Sequence, residues 1–184
     1  MLFDFGQPTD GIFQTAFVVE DLDAAIEQFS ARLRVGPWTT MRAVGPHGSF
    51  YHGEPAKAAV HVGFGFAGHM LYELIQPADD LPSVYREVIE QRGYGFHHFG
   101  YATPAFDEAV ADMHAHGYET VASLKIPDLR LAYFDTRDVL PGMIELIEAN
   151  EAVNASFTAM WKASIGSGDA PAPPPPAPPS AVAS

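Results

Sequence analysis

Two stretches of the chain carry the same pattern of apolar and polar positions. In FQTAFVVEDLDAAIEQFSARL, which starts at Phe13, a short apolar run is followed by Leu22, Ile26, Phe29 and Leu33 at helical spacing. HHFGYATPAFDEAVADMHAHG, which starts at His97, repeats this, with Phe106, Val110 and Met113 as the periodic positions. An apolar run that gives way to a 3.6-residue period predicts a strand followed by an amphipathic helix. Asp21 is the predicted N-cap of the first helix. Thr103-Pro104 predicts an N-cap with proline at the first helical position of the second.

The correspondence extends further. MLYELIQP from Met70 matches GMIELIEA from Gly142, each a short apolar strand with one glutamate, Glu73 and Glu145. SFYHG and AAVHVGFGFAG precede the first of these, ETVASLKI and LRLAYFDT the second, all strand-like and separated by turn residues. Each half therefore predicts strand, helix, strand, strand, strand. A first βαβββ module spans 11–77 and a second 96–149. Between them, 78–95 holds a linker helix with Val84, Val88 and Tyr85 facing inward and Arg92-Gly93 as its stop. Val153, Phe157, Met160 and Trp161 predict an amphipathic helix within 150–163, packed on the body or on a partner chain. The expected fold is α+β, with the paired modules forming a curved mixed sheet around a cleft and helices outside it.

Composition removes several function classes. The 184 residues are 47% hydrophobic, enough for a packed core. The formal charge of −13 argues against nucleic acid or an anionic membrane as partner, because both need a basic footprint. The absence of cysteine excludes disulfides, thiolate catalysis and cysteine-based metal sites. The opening MLFDFGQPTDG shows no targeting pattern, and no apolar run approaches the ~18 residues of a membrane span, so a cytoplasmic location is expected. Seven of the 16 prolines fall between Pro171 and Pro179, and the stretch 164–184 is expected to be a disordered tail.

The repeat puts four polar residues in equivalent places. Gln14 opens the first strand of one half and His98 that of the other, while Glu73 and Glu145 sit in the matching last strands. Strand alternation gives Gln14 the company of Ile12, Ala16 and Val18, His98 that of Phe96, Gly100 and Ala102, and each glutamate that of apolar neighbours. A carboxylate in an apolar row is costly to bury unless it is paired or bound to a cation. Two converging carboxylates would repel, and a divalent metal resolves both problems. One nitrogen and three oxygen donors suit a five- or six-coordinate divalent ion with open positions rather than a closed structural zinc site.

FVVEDLDAAI, LYELIQP, GFHHFGYATPAFDEAV and YFDTRDVLPGMIELIE resemble the vicinal oxygen chelate superfamily over residues ~11–149, the span of the repeat. That superfamily holds glyoxalase I, methylmalonyl-CoA epimerase, extradiol dioxygenases and bleomycin resistance proteins. The resemblance implies that Gln14, Glu73, His98 and Glu145 bind the metal, zinc first among zinc, nickel, cobalt, manganese and iron. The order Gln, Glu, His, Glu is more similar to eukaryotic glyoxalase I than to the epimerases, which usually carry His and often Gln at the first two positions. Residues that would hold glutathione have no clear counterpart.

An ion with open positions stabilises an enolate, and a metal-linked glutamate can act as base. The implied function is a metal-dependent isomerase, epimerase or lyase that abstracts a proton next to a carbonyl, with Glu145 and Glu73 as catalytic residues and Glu145 as the expected base. The alternatives are a non-catalytic small-molecule binding protein or an extradiol-type dioxygenase, although the latter needs a second histidine where Gln14 stands. Trp38, His61 and Tyr133 are the expected substrate-pocket residues. A homodimer acting on a small molecule is the expected assembly. His97 is expected to face away from His98, His114 and His116 to lie on the surface, and Gly63 and Gly65 to sit under a packed neighbour rather than cradle a phosphate.

Overall fold

A computed structural model describes residues 2–166. The elements run β1 (Gly11–Val18), α1 (Leu22–Leu33), β2 (Trp38–Val44), β3 (Ser49–Tyr51), β4 (Glu54–Pro55), β5 (Val60–Ala67), β6 (Met70–Pro77) and α2 (Val84–Arg92). β7 (Gly95–Thr103), α3 (Phe106–Ala115), β8 (Thr120–Ile126), β9 (Leu129–Phe134), β10 (Met143–Glu148) and α4 (Glu151–Gly166) follow. All ten strands form one curled mixed sheet in the order β2-β5-β6-β1-β7-β10-β9-β8-β3-β4. The two halves meet where β1 pairs antiparallel with β7, flanked on either side by the parallel pairs β1–β6 and β7–β10. This is the α+β architecture that the repeat predicts, a curled mixed sheet with helices outside it.

One predicted strand belongs elsewhere. SFYHG forms β3, but β3 pairs with β8 of the second half, and the strand that completes the first half is β2, beginning at Trp38. β2 carries no strand signal in the sequence, because WTTMRAV is almost wholly exposed and so lacks a buried alternating face. The chain from β2 to β3 thus crosses from one edge of the curl to the other.

The helix signals hold at two predicted ends of three. Asp21 accepts the Ala24 N–H (2.9 Å) and Ser83 accepts the Arg86 N–H (3.1 Å). Gly93, with φ 81°, caps α2 after Arg92. The N-cap of α3 is Ala105, two residues beyond the predicted Thr103. Thr103 remains the last residue of β7, paired with Glu148, and its hydroxyl accepts the Ala105 N–H (3.1 Å) ahead of the helix.

α1 and α3 cover the convex face. The concave face is covered too. At one end α4 and the N-terminal segment pack Phe157, Phe3 and Phe5 on Phe13, Phe66 and Leu71. At the other, α2 packs Val84 and Val88 on Ala16, Val18, Ile75, Val121 and Met143. Each fully buried phenylalanine of the first cluster contributes about 1.5–3 kcal/mol of transfer free energy. α4 therefore docks on its own chain, and it also stacks Trp161 on His69 (5.5 Å). No helix among the described residues is long and apolar enough to cross a membrane. The Pro-rich stretch within 167–184 lies outside the described residues.

Candidate metal centre

The four central strands, β6, β1, β7 and β10, each send one polar side chain to the concave face between the two apolar plugs. Two register shifts between β1 and β7 arrange this. Ile12 pairs with Tyr101 and Gln14 with Gly100, so Phe13 is the extra residue of β1. The bulge turns Phe13 inward with Gln14, leaving Phe13 0% and Ile12 45% exposed. Ile12 thus does not share the face of Gln14, as simple alternation requires. Gly100 makes room for the glutamine, because a Cβ there would lie 2.8 Å from Gln14 Cβ.

The ends of the four side chains converge. Gln14 Nε2 lies 2.7 Å from Glu73 Oε2, 3.3 Å from His98 Nε2 and 3.5 Å from Glu145 Oε2. His98 Nε2 is 3.4 Å from Glu73 Oε2 and 3.2 Å from Glu145 Oε2. Exposure is 2% for Gln14, 7% for Glu73, 0% for His98 and 3% for Glu145. Among the described residues, Glu73, His98 and Glu145 form a group whose ligand atoms lie within 4.8 Å of one another.

The electrostatics call for positive charge. Burial lowers the His98 pKa, but the Glu145 and Glu73 carboxylates outweigh it and raise the imidazole to about 9. Burial raises Glu73; the His98 ring opposes this and the Glu145 charge adds to it. Two carboxylates against one imidazolium leave an uncompensated negative charge, whereas a divalent ion with neutral His98 and Gln14 balances both carboxylates. The donor set thus fits a divalent ion, with Gln14 offering its amide oxygen in place of the nitrogen.

A second layer surrounds the cluster. Tyr133 pairs across the sheet with Glu145 and shares a hydrogen bond with Tyr85 (Oη–Oη 3.2 Å). Burial, and then the Glu145 charge, push the Tyr133 hydroxyl well above its ordinary pKa, so it stays protonated. His97 is the extra residue of the second register shift, since Phe96 pairs with Phe17 and His98 with Ala16. It therefore lies beside His98, against the expectation that it faces away, with Nδ1–Nδ1 at 2.8 Å. Burial, then the neighbouring His98 charge, hold His97 well below the usual histidine range and therefore neutral. Strict strand alternation hid this residue, and only the bulge reveals it.

The sequence matches the family model of the Glyoxalase/Bleomycin resistance protein/Dioxygenase superfamily over residues 13–133. The chain belongs to this superfamily. A search of curated proteins returned no significant match. Among solved structures, methylmalonyl-CoA epimerase from Mycobacterium tuberculosis is similar at TM-score 0.59 and 18% identity, over 79% of this chain and 91% of that one. Streptomyces coelicolor methylmalonyl-CoA epimerase in complex with 2-nitronate-propionyl-CoA is similar at TM-score 0.57 and 17% identity, over 78% and 96%. A hypothetical protein from Bacillus halodurans is similar at TM-score 0.56 and 16% identity, over 76% and 94%. At these identities the likeness is one of fold.

In this superfamily member Tyr133 stands at the cluster, but Trp38 and His61 do not. Trp38 faces the convex side, where its indole N–H donates to Ser30 of α1 (2.8 Å) and its ring covers the positions a Cβ would take on Gly63 and Gly65. The two glycines are thus small residues under a packed neighbour. His61 lies on that same side of β5 and accepts the Ala43 N–H (3.0 Å). Along β5, His61, Gly63 and Gly65 alternate with Val62 and Phe64, which take the concave side opposite Ile75 and Glu73, and Trp38 pairs with Gly65. His114 and His116 are exposed, bonded to Thr120 and to the Asp112 carbonyl.

Proposed function

We propose that this protein is a metal-dependent isomerase, epimerase or lyase that moves a proton at a carbon next to a carbonyl of a small organic substrate. The convergence of Gln14, Glu73, His98 and Glu145 in one buried cluster carries this reading. Among the described residues, its two carboxylates have no cationic partner beyond the His98 imidazole. Gln14, Glu73, His98 and Glu145 would hold the ion, zinc being the first choice. When bound, the ion supplies a Lewis acid that polarises the substrate carbonyl.

Glu73 and Glu145 are the catalytic carboxylates, and their surroundings separate their roles. Glu145 faces Tyr133, and Glu73 faces Phe64, a ring with no hydrogen bond to give. Glu73 is also the more accessible of the two. We therefore assign the base to Glu73 and anchoring to Glu145, the reverse of the order expected from sequence. Tyr133 lines the substrate side and, as a protonated hydroxyl, donates a hydrogen bond. Arg42, Arg130 and Arg137 are held by Asp23, by Asp107 with Glu148, and by Glu87 with Asp135. This favours a neutral or singly charged substrate. The exposed Met41 and Val44 of edge strand β2 support pairing into a homodimer.

One specific observation favours a second reading. The plugs formed by α2 and α4 leave the cluster almost closed, as suits a binding protein that does no chemistry. Elemental analysis of protein purified without chelators, followed by solvent deuterium exchange into α-carbonyl compounds, separates the two. A stoichiometric ion with metal-dependent exchange supports the enzyme. Absence of metal after reconstitution overturns it, and a bound ion without exchange leaves the binding reading.

A further inference from the structure

The proton on His98 is decided by its neighbours. His97 Nδ1 lies 2.8 Å from His98 Nδ1, and His97 Nε2 lies 3.3 Å from the Val84 carbonyl oxygen at the start of α2. A carbonyl oxygen only accepts, so His97 meets it with a proton on Nε2. The 2.8 Å contact between the two Nδ1 atoms holds a single proton, and with the His97 proton turned to the Val84 carbonyl its Nδ1 is the acceptor. His98 must answer with a proton on its own Nδ1. That leaves His98 Nε2 as the nitrogen that faces Gln14, Glu73 and Glu145, at 3.3, 3.4 and 3.2 Å.

We infer that His97 is a positioning residue that ties the Val84 carbonyl to His98 and holds the His98 Nδ1 proton, so that Nε2 is the atom presented to the cluster. A ligating histidine commonly donates its other N–H to a carboxylate, a carbonyl or water. Here a second histidine, adjacent in sequence, takes that place. The bulge at His97 makes this geometrically available, because two successive residues of a regular strand point to opposite faces. Tyr85 and Tyr133 pack against the His97 ring at 5.1 and 6.1 Å between centroids, and the His98 ring stands nearly perpendicular to it. The arrangement also couples the cluster to α2, since the anchoring carbonyl belongs to that helix.

The consequence for metal binding rests on the proposed function; the proton assignment does not. Long-range 1H–15N spectra of labelled wild-type protein, metal-free and zinc-loaded, read both rings. His97 is expected to carry its proton on Nε2 in both states, and His98 to keep an Nδ1 proton in both. A proton on His97 Nδ1, or an unprotonated His98 Nδ1, overturns the proposal, and this measurement needs no variant. Zinc affinity by chelator competition then tests the consequence. His97→Phe fills the space without an acceptor and is expected to weaken zinc by about 10–100-fold. His97→Asn, whose side-chain oxygen can stand near the place of Nδ1, is expected to recover most of the loss. Equal affinity of His97→Phe and wild type overturns the positioning role. If wild type binds no zinc at all, the proposed function fails while the ring-proton measurement still decides this assignment.

Discussion

The two halves of the sheet are built on one plan and furnished differently. Glu73 and Glu145 occupy equivalent places, yet the residue paired across the sheet is Phe64 for one and Tyr133 for the other. Gln14 stands where the second half has His98. The position beside Gln14 is Gly100, and the position beside His98 is Ala16. The strand connections differ as well. β5 turns into β6 at Gly68-His69, whereas 135–142 between β9 and β10 forms a longer loop held by Arg137 to Asp135 and Glu87. The repeat thus supplies a symmetrical backbone, and unlike side chains at like positions make its centre chemically one-sided.

The sharpest break in that comparison is to remove its one imidazole. His98→Ala leaves two buried carboxylates without their cationic partner, and the metal-free protein is expected to lose about 3–5 kcal/mol in denaturant unfolding. The variant should retain no divalent ion on elemental analysis. Gln14→Ala, the same truncation in the other half, should weaken metal binding without abolishing it.

The next effect concerns the carboxylates. Glu73→Gln is expected to keep most of the metal and to slow solvent deuterium exchange at the substrate α-carbon by about 10²–10⁴-fold, the usual worth of a general base. Glu145→Gln should lose more metal and, once reloaded, less exchange. The opposite pattern would return the base to Glu145.

Gly100→Ala probes how closely the halves interlock. Its Cβ would meet Gln14 Cβ at 2.8 Å and Cδ at 3.1 Å, so the glutamine must leave its place. Overpacking of this kind costs about 1–3 kcal/mol, measured as a shift in the urea midpoint, with a fall in metal affinity alongside. Ala16→Gly at the corresponding position beside His98 should leave metal affinity unchanged.

The smallest effect lies in the longer connection of the second half. The Arg137 hydrogen bond, against a smaller opposing effect of burial, holds Asp135 below the ordinary carboxylate range. A carboxyl whose folded pKa is depressed adds stability above its unfolded value of about 3.9, and that stability is lost as pH falls through the folded value. The partly exposed pair contributes no more than about 1 kcal/mol. Asp135→Asn should therefore melt slightly below wild type at neutral pH, and the gap should close once the pH has fallen below the folded pKa of Asp135. A gap that persists there would assign the effect to packing instead of charge.

Much of this protein is legible in its sequence because its repeat is written in apolar periodicity. The ELI strands, the helix faces led by Leu22 and Phe106, and the caps at Asp21 and Gly93 depend on interactions within a few residues. They predict the fold, and the repeat together with strand alternation nominates Gln14, Glu73, His98 and Glu145. What tertiary structure decided turns on pairing between distant segments. β2 lacks a buried face and shows itself only as the partner of β5, while SFYHG is a strand whose partner lies in the other half. Trp38 and His61 take the convex side because of where β2 and β5 pair, which no local pattern states. The two bulges between β1 and β7 are the clearest case. One extra residue on either strand reverses the face of everything beyond it, so Phe13 enters the core and His97 comes to lie beside His98. A bulge is a property of the pair of strands, absent from either strand read alone.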